Sequence, residues 1–423
     1  MLVNGILDPR LGMELLFCNI TKNDSQGKFY ENLEDALLDI LGPKRSSFFI
    51  PVSLTYSLIF MVGLAGNLLT CAVIAKHRKM QTPTNFYLFS LAVSDLLVLI
   101  FGMPLETYEL WQNYPFPFGE GGCYFKIFLF ETVCFASVLN VTALSVERYI
   151  AVVHPLKTRY AMTNKHACRV ITSVWTISLV CAIPNTSLHG IFYLYLPEKV
   201  AESATCILLK PLWIYRLVIQ ITTVLFYFVP MAVISVLYLV ICRRLGREKK
   251  LPEAKVDKNC NSGSSWKIHL ETVVVIVFAI CWAPFHLDRL LWSSITQWTD
   301  TMHTVYQYVH ILSGALFYLS SAVNPIIYSL LSSRFREHFH ELMCRKTKGG
   351  SSPPFSKPQK SSSALMVQCR STRGLGPSFI SSSNNLNNMH CCLKVCKTVV
   401  CLSFTTKQSF NENQFFSCDI IGV

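Results

Sequence analysis

CYFKIFLFETVCFASVLNVTALSVERYIAVVHP, residues 123–155, is the stretch that decides the fold of this chain. It is apolar for about twenty residues, which is long enough for one helix to cross a bilayer. Cys123 stands at one end, the triplet ERY (147–149) stands at the other, and a single acid, Glu131, lies about two turns in from Cys123. Charged groups in a membrane helix are costly and tend to mark function. The stretch therefore indicates a membrane-spanning helix that transmits a signal from one side of the membrane to the other.

The composition excludes an ordinary soluble domain. Of the 423 residues, 51% are hydrophobic and only 15% are charged, with a mean hydropathy of +0.38. The net charge of +13 lies largely in short loops between apolar runs, and no fold signature of a nucleic-acid-binding protein accompanies it. The 17 cysteines have no metal-site or disulfide-framework spacing, and no nucleophile–base pair is evident. We therefore predict a membrane protein that is no enzyme and binds no nucleic acid.

Seven apolar stretches have about the length needed to span a bilayer. They cover roughly residues 48–75, 85–110, 122–153, 167–184, 212–242, 270–293 and 303–331. The loops after the first, third and fifth stretches are basic, and the opposite loops are mostly acidic. By the positive-inside rule the N-terminus lies outside the cell and the C-terminus in the cytoplasm. The predicted fold is an all-α membrane protein, a seven-transmembrane helix bundle.

The N-terminal part of the chain differs from the seven-span domain, which we place at residues 46–344. Residues 1–45 are polar and acidic and are expected to form an extracellular segment. Glycosylation sequons begin at Asn19 and Asn23, in agreement with an outside location.

The C-terminal part is predicted to lie in the cytoplasm. Residues 334–344 have apolar side chains on one face and basic ones on the other, which indicates a short amphipathic helix on the inner leaflet. Cys344 at its end is a candidate for palmitoylation, the alternative being an unmodified thiol. Residues 345–423 are rich in Ser, Asn and Lys and are predicted to be a disordered tail whose serines kinases could modify.

Five short motifs lie in order along the spans. They are Asn67 in a GN pair, Asp95 in LAVSD, ERY, CWAP (281–284) and NPIIY (324–328). Each alone is weak evidence, but together they resemble the rhodopsin-like class of G-protein-coupled receptors. The resemblance covers about residues 46–344. It implies a protein that binds a ligand outside the cell and activates a heterotrimeric G protein inside.

A polar cluster is expected in the middle of the bundle. Asp95 is a lone acid in the second span, where burial is tolerated only with partners. Asn67, Ser137, Ser321 and Asn324 are polar residues at similar depth in neighbouring spans. The resemblance implies that the five hold a sodium ion or a water cluster. The alternative is a hydrogen-bonded polar core without an ion, and no other cofactor is expected.

The resemblance also implies a switch at the inner ends of the spans. Arg148, flanked by Glu147 and Tyr149, is expected to be held in one state and exposed to the G protein in the other. Pro284 removes a backbone hydrogen bond and predicts a hinge in the sixth span. The other residues expected to move with this switch are Tyr238, Phe278, Asn324, Pro325 and Tyr328.

Two cysteines are predicted on the oxidising side of the membrane. Cys123 stands at the outer end of the third span, and Cys206 lies in the loop 185–211. A disulfide between them would tie the loop over the mouth of a pocket. The alternative is two unrelated thiols.

Three charged residues are expected to face this pocket. Glu106 follows Asp95 by eleven residues, which at about 100° per residue places both on nearly one face. Arg289 follows Trp282 by seven residues, again on one face and one level higher. With Glu131, these charges suit a ligand that carries cations and a carbonyl or carboxylate, and ligand arginines would make the strong bidentate contacts. The alternative is that the charges pair among themselves, Arg289 with a glutamate.

The predicted ligand-binding set also includes Phe285 and His286, next to Trp282. A small amine is not favoured, because Phe130 stands where amine receptors carry an aspartate. A retinal Schiff base is excluded, since the seventh span contains no lysine. A peptide is the remaining common choice.

A closer resemblance names the peptide class. TPTNFYLFSLAVSDLLVLIFGMPLETYELWQNYPF, SVERYIAVVHPL, PNTSLHGI and FAICWAPFHLDRL are similar to neuromedin U receptors, type 1 more than type 2. This implies a plasma-membrane receptor for peptides ending in amidated Phe-Arg-Pro-Arg-Asn, namely neuromedin U and neuromedin S. Glu106 and Glu131 would take ligand arginine, and Arg289 would meet the amidated end. Gq-class coupling, phospholipase C and calcium release are implied, with Gi as a second G protein, and arrestin and kinases act on the tail.

Two alternatives remain at this level. One is a receptor of the related ghrelin, motilin or neurotensin branch, and the more distant one is a transporter or channel, which would show repeat symmetry or a polar pore. One departure from the family concerns SSWKIHLETVVV (264–275), which puts Glu271 in the inner turn of the sixth span. Glu271 could pair with Arg148 or Lys267, and pairing with Arg148 would hold the sixth span inward, so Glu271 is expected to lower basal signalling. The alternative is a solvated bystander.

Overall fold

The computed structural model describes residues 33–156, 158, 162–195, 199–248, 258–295, 297–331 and 337. Within these residues, seven helices are long and apolar enough to cross a membrane. These spans, first to seventh, are Phe49–Lys76, Pro83–Trp111, Gly119–Val153, Asn164–Thr186, Leu212–Arg244, Val275–Ser294 and Thr301–Ile327. They confirm the predicted all-α seven-helix membrane bundle, with bounds within a few residues of the predicted ones.

Three helices continue beyond the apolar part of their spans. The fifth span continues to Glu248, the sixth belongs to a helix Lys258–Ser294, and the seventh to a helix Asp300–Leu331. The sixth helix thus begins well before the predicted start at residue 270. Polar sequence can prolong a membrane helix into water, and hydropathy does not detect that extension.

Small residues and buried hydrogen bonds bring the spans together, as is usual where no hydrophobic effect drives helices to associate within lipid. The first and seventh spans meet closely at Gly66, where an added Cβ would lie 2.7 Å from the Cβ of Pro325. The fourth and second spans are joined by Trp175, whose indole Nε1 donates to Ser90 Oγ over 3.0 Å. These contacts fix which faces of the spans point inward.

Two spans contain a short π-helical stretch. Val98–Gly102 interrupts the second span and Val224–Phe228 interrupts the fifth. The first stretch lies between Asp95 and Glu106, so regular 100° spacing does not hold between them. Both carboxylates nevertheless bond to the seventh span, where Asn324 contacts Asp95 and Tyr318 contacts Glu106.

The fourth and fifth spans are connected by a β-hairpin that the sequence did not predict. Strand β1 (His189–Phe192) pairs antiparallel with strand β2 (Thr205–Leu208), and Ile191 is opposite Cys206. The predicted disulfide between Cys123 and Cys206 is present and ties β2 to the third span. We call this side of the bundle the disulfide end and the side of the ERY triplet the ERY end.

A short helix, α1 (Leu33–Leu41), covers part of the hairpin and was also not predicted. Leu37 and Leu41 pack with Tyr114 of the loop after the second span and with Phe192 of β1. The Tyr114 hydroxyl also donates to the carbonyl of Gly42 over 3.1 Å. Burial raises the pKa of Tyr114, so the hydroxyl stays a donor at neutral pH. The disulfide end is therefore a packed layer rather than loose loops.

Several predictions fall outside the described residues. The surface helix 334–344 lies there apart from Glu337, as do the tail 345–423, Cys344, and the sequons at Asn19 and Asn23. The backbone of Glu271 and Tyr328 is helical, but their side chains also lie outside the description. The domain limits 1–45, 46–344 and 345–423 stay predictions.

Candidate functional site

A cavity of about 180 Å³ opens at the disulfide end, walled by the second to seventh spans and by β2. Pockets for drug-sized ligands have volumes of about 300–1,000 Å³. The walls must therefore move apart to admit a ligand of that size. Acidic and basic residues on the wall that are shielded from solvent include Glu106, Lys126, Glu131, Asp288, Arg289 and His310.

A buried ion pair joins the third and sixth spans across the cavity. Arg289 Nη2 lies 2.6 Å from Glu131 Oε1, and both side chains are less than 5% exposed. Tyr215 also lines the cavity, with its hydroxyl close to the guanidinium. Glu131 and Arg289 both face the cavity, as the sequence predicted. In this structure they pair with each other, which was the stated alternative to free charges that await a ligand. Removing one member of such a pair is costly, because the other is left as a buried, uncompensated charge.

Asn185 is a second partner of Glu131 that sequence reasoning missed. Its side-chain Nδ2 donates to Glu131 Oε1 over 2.8 Å, and its carbonyl lies 2.8 Å from Nδ1 of His189 in β1. Burial, together with the nearby charges of Arg289 and Lys126, lowers the pKa of His189 to about 4. The neutral ring therefore donates to the Asn185 carbonyl, which ties the hairpin to the carboxylate at the centre of the cavity.

Glu106 is held by two hydroxyls. Tyr56 donates to its Oε1 over 2.9 Å and Tyr318 donates to its Oε2 over 2.7 Å. Gly314 leaves room for this arrangement, because an added Cβ would lie 2.6 Å from the Tyr56 hydroxyl and 3.3 Å from Glu106 Oε1. Among the described residues, no lysine or arginine forms a salt bridge with Glu106. This half-buried acid is thus open to an additional cation.

A second acid–base pair joins the sixth and seventh spans. Nδ1 of His310 lies 3.1 and 3.2 Å from the two carboxylate oxygens of Asp288, and the Tyr306 hydroxyl lies close to this carboxylate. Asp288 is only 1% exposed and His310 7%. Sequence reasoning missed both, although an acid inside a membrane helix is the signal that drew attention to Glu131.

Aromatic rings form the floor of the cavity. Trp282 packs on Phe278 with ring centroids 5.0 Å apart and on Phe317 at 5.4 Å, and His286 stacks on Tyr227 at 4.6 Å. The predicted ligand-binding residues Trp282, Phe285 and His286 are buried but do not line the cavity. They lie one layer deeper, below the charged groups.

Comparison with known proteins decides the family. The sequence matches the family model "7 transmembrane receptor (rhodopsin family)" over residues 66–328. It is 53% identical to Neuromedin-U receptor 1 of Homo sapiens, over 74% of this chain and 78% of the relative. It is 49% identical to Neuromedin-U receptor 2 of Mus musculus, over 84% of this chain and 92% of the relative. The chain belongs to the neuromedin U receptors of the rhodopsin family. A more distant relative is Pyrokinin-1 receptor of Drosophila melanogaster, 34% identical over 72% of this chain and 83% of the relative.

Family membership decides several predictions made from the sequence. The chain is a multi-pass plasma-membrane receptor and not an enzyme, as predicted. The transporter and the ghrelin, motilin or neurotensin branch are set aside. Relatives of both types lie at similar identity, so the predicted nearness to type 1 stays a prediction.

The receptor has a polar cluster at mid-depth, as the sequence led us to expect. Asn324 Nδ2 donates to Asp95 Oδ2 over 2.9 Å, and the Ser321 hydroxyl lies close to the same carboxylate. Asn67 donates to the carbonyl of Ser321 over 2.9 Å. Ser137 instead bonds to Ser94, with 3.0 Å between their hydroxyl oxygens. The carboxylate and hydroxyl oxygens fit a hard cation, but the Asn324 contact presents a donor rather than an oxygen ligand.

Among the predicted switch residues, Glu147, Arg148 and Tyr149 form the ERY end of the third span. Glu147 is buried next to the Tyr87 hydroxyl of the second span, whereas Arg148 and Tyr149 are half-buried. Tyr238 and Phe278 are buried in the core. Pro325 lies against Gly66, and the side chain of Tyr328 is outside the description. The arrangement places Glu147 and Arg148 together at one end of the third span.

Proposed function

We propose that this receptor binds an amidated peptide of the neuromedin U type at the disulfide end and activates a heterotrimeric G protein at the ERY end. One observation carries the proposal: acids from three spans and an arginine converge on one cavity. The relatives' names supply the peptide class, neuromedin U, and neuromedin S is the second candidate. The disulfide end then faces the outside of the cell, which agrees with the basic loops at the other end.

The charges assign roles to parts of the peptide. Glu106, whose hydrogen-bond partners among the described residues are two hydroxyls, and Glu131 take ligand arginine. Arg289 turns its N–H groups to the carbonyl of the amidated end. Guanidinium–carboxylate contacts are bidentate and charge-assisted, which makes them the strong contacts of the complex. Trp282, Phe285 and His286 lie one layer below these contacts, and they repack when the ligand rearranges the charged groups above them.

Exchange of partners makes this binding feasible. A ligand cation that takes Glu131 would leave Arg289 buried and uncompensated if the ligand brought nothing else. A peptide that brings an acceptor for Arg289 in the same step avoids that cost. The sixth span, which carries Arg289, is then released from the third span. Pro284 lies within the helix of the sixth span and allows it to bend.

Signalling follows at the ERY end. Movement of the sixth span exposes Arg148 to a G protein, with Tyr149, Tyr238, Phe278, Asn324, Pro325 and Tyr328 repacking around it. The G protein is of the Gq class, with Gi as a second partner, and acts through phospholipase C and calcium release. Arrestin and kinases act on the tail, Cys344 is palmitoylated, and Asn19 and Asn23 are glycosylated.

A calcium assay in transfected cells tests the proposal. Neuromedin U and neuromedin S are compared with ghrelin, motilin and neurotensin, and with forms of neuromedin U that lack the terminal amide. We expect the amidated peptides neuromedin U and neuromedin S to cause calcium release, and the other peptides and the forms without the amide to cause none. Response to a peptide of the other branch and none to neuromedin U would overturn the proposal.

We further propose that Asp95, with Ser321, Ser137, Asn67 and Asn324, holds a sodium ion in the inactive receptor. Raising sodium at constant ionic strength is then expected to lower agonist affinity several-fold, because the ion favours the state that binds agonist poorly. Asp95→Asn removes the anionic ligand and is expected to abolish this dependence. Radioligand competition measures agonist affinity for the parent receptor and for Asp95→Asn, in buffers that contain either sodium or N-methylglucamine as the cation. Agonist binding that is insensitive to sodium in the parent receptor would favour the ion-free polar core.

A further inference from the structure

Asp288 and Arg289 are successive residues of the sixth span, and each is paired with a different neighbouring span. Arg289 reaches Glu131 of the third span, whereas Asp288 reaches His310 of the seventh. All four residues line the same cavity. The proposed peptide contacts use Glu131 and Arg289 and leave Asp288 and His310 without a role.

A count of charges on the cavity wall shows what Asp288 contributes. The acids are Glu106, Glu131 and Asp288, and the permanent cation held among them is Arg289. Two lysines also line the cavity. Lys126 is engaged by Glu109 at 2.5 Å, and Lys210 is exposed at the mouth, where water screens its charge.

The count leaves three acids for one arginine, and Asp288 is held by the imidazole of His310 rather than by a permanent cation. A ligand with two guanidinium groups raises the number of permanent cations to three. The carboxylates and the permanent cations in the cavity are then equal in number. If Asp288 stayed with His310, one guanidinium in a closed cavity would have no carboxylate, and a desolvated, unpaired charge is costly.

We propose that Asp288 is a third guanidinium-accepting carboxylate of the ligand site and that His310 is its placeholder in the ligand-free receptor. This inference rests on the proposed function, since it assumes a peptide with two arginines. A guanidinium displaces the imidazole because it carries a permanent charge and offers two parallel N–H donors to one carboxylate, whereas Nδ1 of His310 offers a single donor. The Tyr306 hydroxyl stays close to the Asp288 carboxylate in this exchange.

The two members of the pair are expected to respond differently, with a loss of potency for Asp288→Asn and none for His310→Phe. Asp288→Asn leaves one guanidinium without a carboxylate and is expected to lower peptide potency about 30-fold or more, as truncation of a buried charge partner does. His310→Phe keeps a ring that stacks on Tyr306 but removes the competing donor. Peptide potency in His310→Phe is expected to be unchanged or higher. A purely structural link between the sixth and seventh spans would instead weaken equally with either substitution.

The experiment measures calcium dose–response curves at matched surface expression for parent, Asp288→Asn and His310→Phe receptors. Asp35→Asn is the control, because it is the same substitution at an exposed position of α1. Each receptor is tested with neuromedin U and with analogues in which one arginine is replaced by the neutral isostere citrulline. In Asp288→Asn, citrulline at one arginine is expected to cost at least tenfold less than in the parent, since one charge already lacks its carboxylate.

The outcomes separate the inference from the function on which it rests. A parent receptor that responds to the peptide, with equal losses in Asp288→Asn and His310→Phe, overturns the third acceptor and leaves the proposed function standing. Unchanged potency in Asp288→Asn does the same. A parent receptor that does not respond to either arginine peptide removes the proposed function, and the third acceptor with it. A loss of potency in Asp288→Asn without a loss in His310→Phe, together with a reduced citrulline effect in Asp288→Asn, supports the inference.

Discussion

Glu131→Gln is expected to reduce the potency of an amidated arginine peptide about 100-fold at matched surface expression. Glu131 is 3% exposed, and its carboxylate joins Arg289 and Asn185 at 2.6 and 2.8 Å. A ligand guanidinium that takes this place forms a desolvated charge pair. Truncating one partner of such a pair costs about 2–5 kcal/mol, which is about 30-fold to more than 1,000-fold at 1.4 kcal/mol per tenfold. Calcium dose–response curves measure the loss.

The control is Glu120→Gln, the same substitution in the same helix. Glu120 lies in the first turn of the third span, is exposed and does not line the cavity. Its curve is expected to match that of the parent. An unchanged curve for Glu131→Gln at equal expression would remove Glu131 from the ligand site.

Much of the fold could be predicted because the membrane imposes a simple rule. A helix that satisfies its own backbone hydrogen bonds and is apolar for about twenty residues is readable from composition alone. The third span, Gly119–Val153, begins and ends close to the predicted 122–153. The hairpin of β1 and β2 and the helix α1 could not be predicted in this way. Both are short and polar in part, and they are formed by packing of Leu37, Tyr114 and Phe192 rather than by periodicity.

The candidate site was predicted where single residues break the membrane rule. Glu131 and Arg289 were found as costly charges, and their meeting was one of the stated alternatives. Asp288 is also a charged residue within a membrane helix, but only its neighbour Arg289 was considered at this place in the sixth span. Partners that are ordinary membrane residues give no such signal. Tyr56 and Tyr318 on Glu106 illustrate this, because a tyrosine facing an acid is indistinguishable in sequence from one facing lipid.

The geometry also suggests why an amide suits this cavity better than a carboxylate. Arg289 alone would attract a C-terminal carboxylate strongly. In the receptor, however, Glu131 lies 2.6 Å from it and Asp288 is the preceding residue. A third negative group would be repelled by these acids, whereas a neutral carboxamide offers its carbonyl to the guanidinium without that repulsion. The acids thus favour an uncharged group at the end of the proposed ligand next to Arg289.

Arg289→Met is expected to lower the potency of the amidated peptide about 100-fold. Arg289 is 3% exposed, its guanidinium lies over the Phe285 ring with 5.3 Å to the centroid, and its Nε has no hydrogen-bond partner among the described residues. It is therefore positioned to donate to a ligand carbonyl. Methionine keeps the apolar stem and removes both the donors and the charge. The control is Arg45→Met, at an exposed position outside the cavity.

Two further variants separate a role in binding from one in folding. Arg289→Met leaves Glu131 as a buried, unpaired acid, so its surface expression is expected to fall, and the double variant Glu131→Gln with Arg289→Met is expected to restore it. Arg289→Lys keeps the charge but not the planar fork and is expected to give an intermediate potency.

A double-mutant cycle then assigns the contact of Arg289 to the end of the peptide. The second change is an analogue of neuromedin U that lacks the terminal carboxamide. If Arg289 binds that group, Arg289→Met costs about 100-fold with the full peptide and less than about tenfold with the analogue. The difference is a coupling of at least about 1.4 kcal/mol. Equal losses with both peptides would give zero coupling and would place the amidated end elsewhere in the cavity, leaving Arg289 as the partner that holds Glu131 in position.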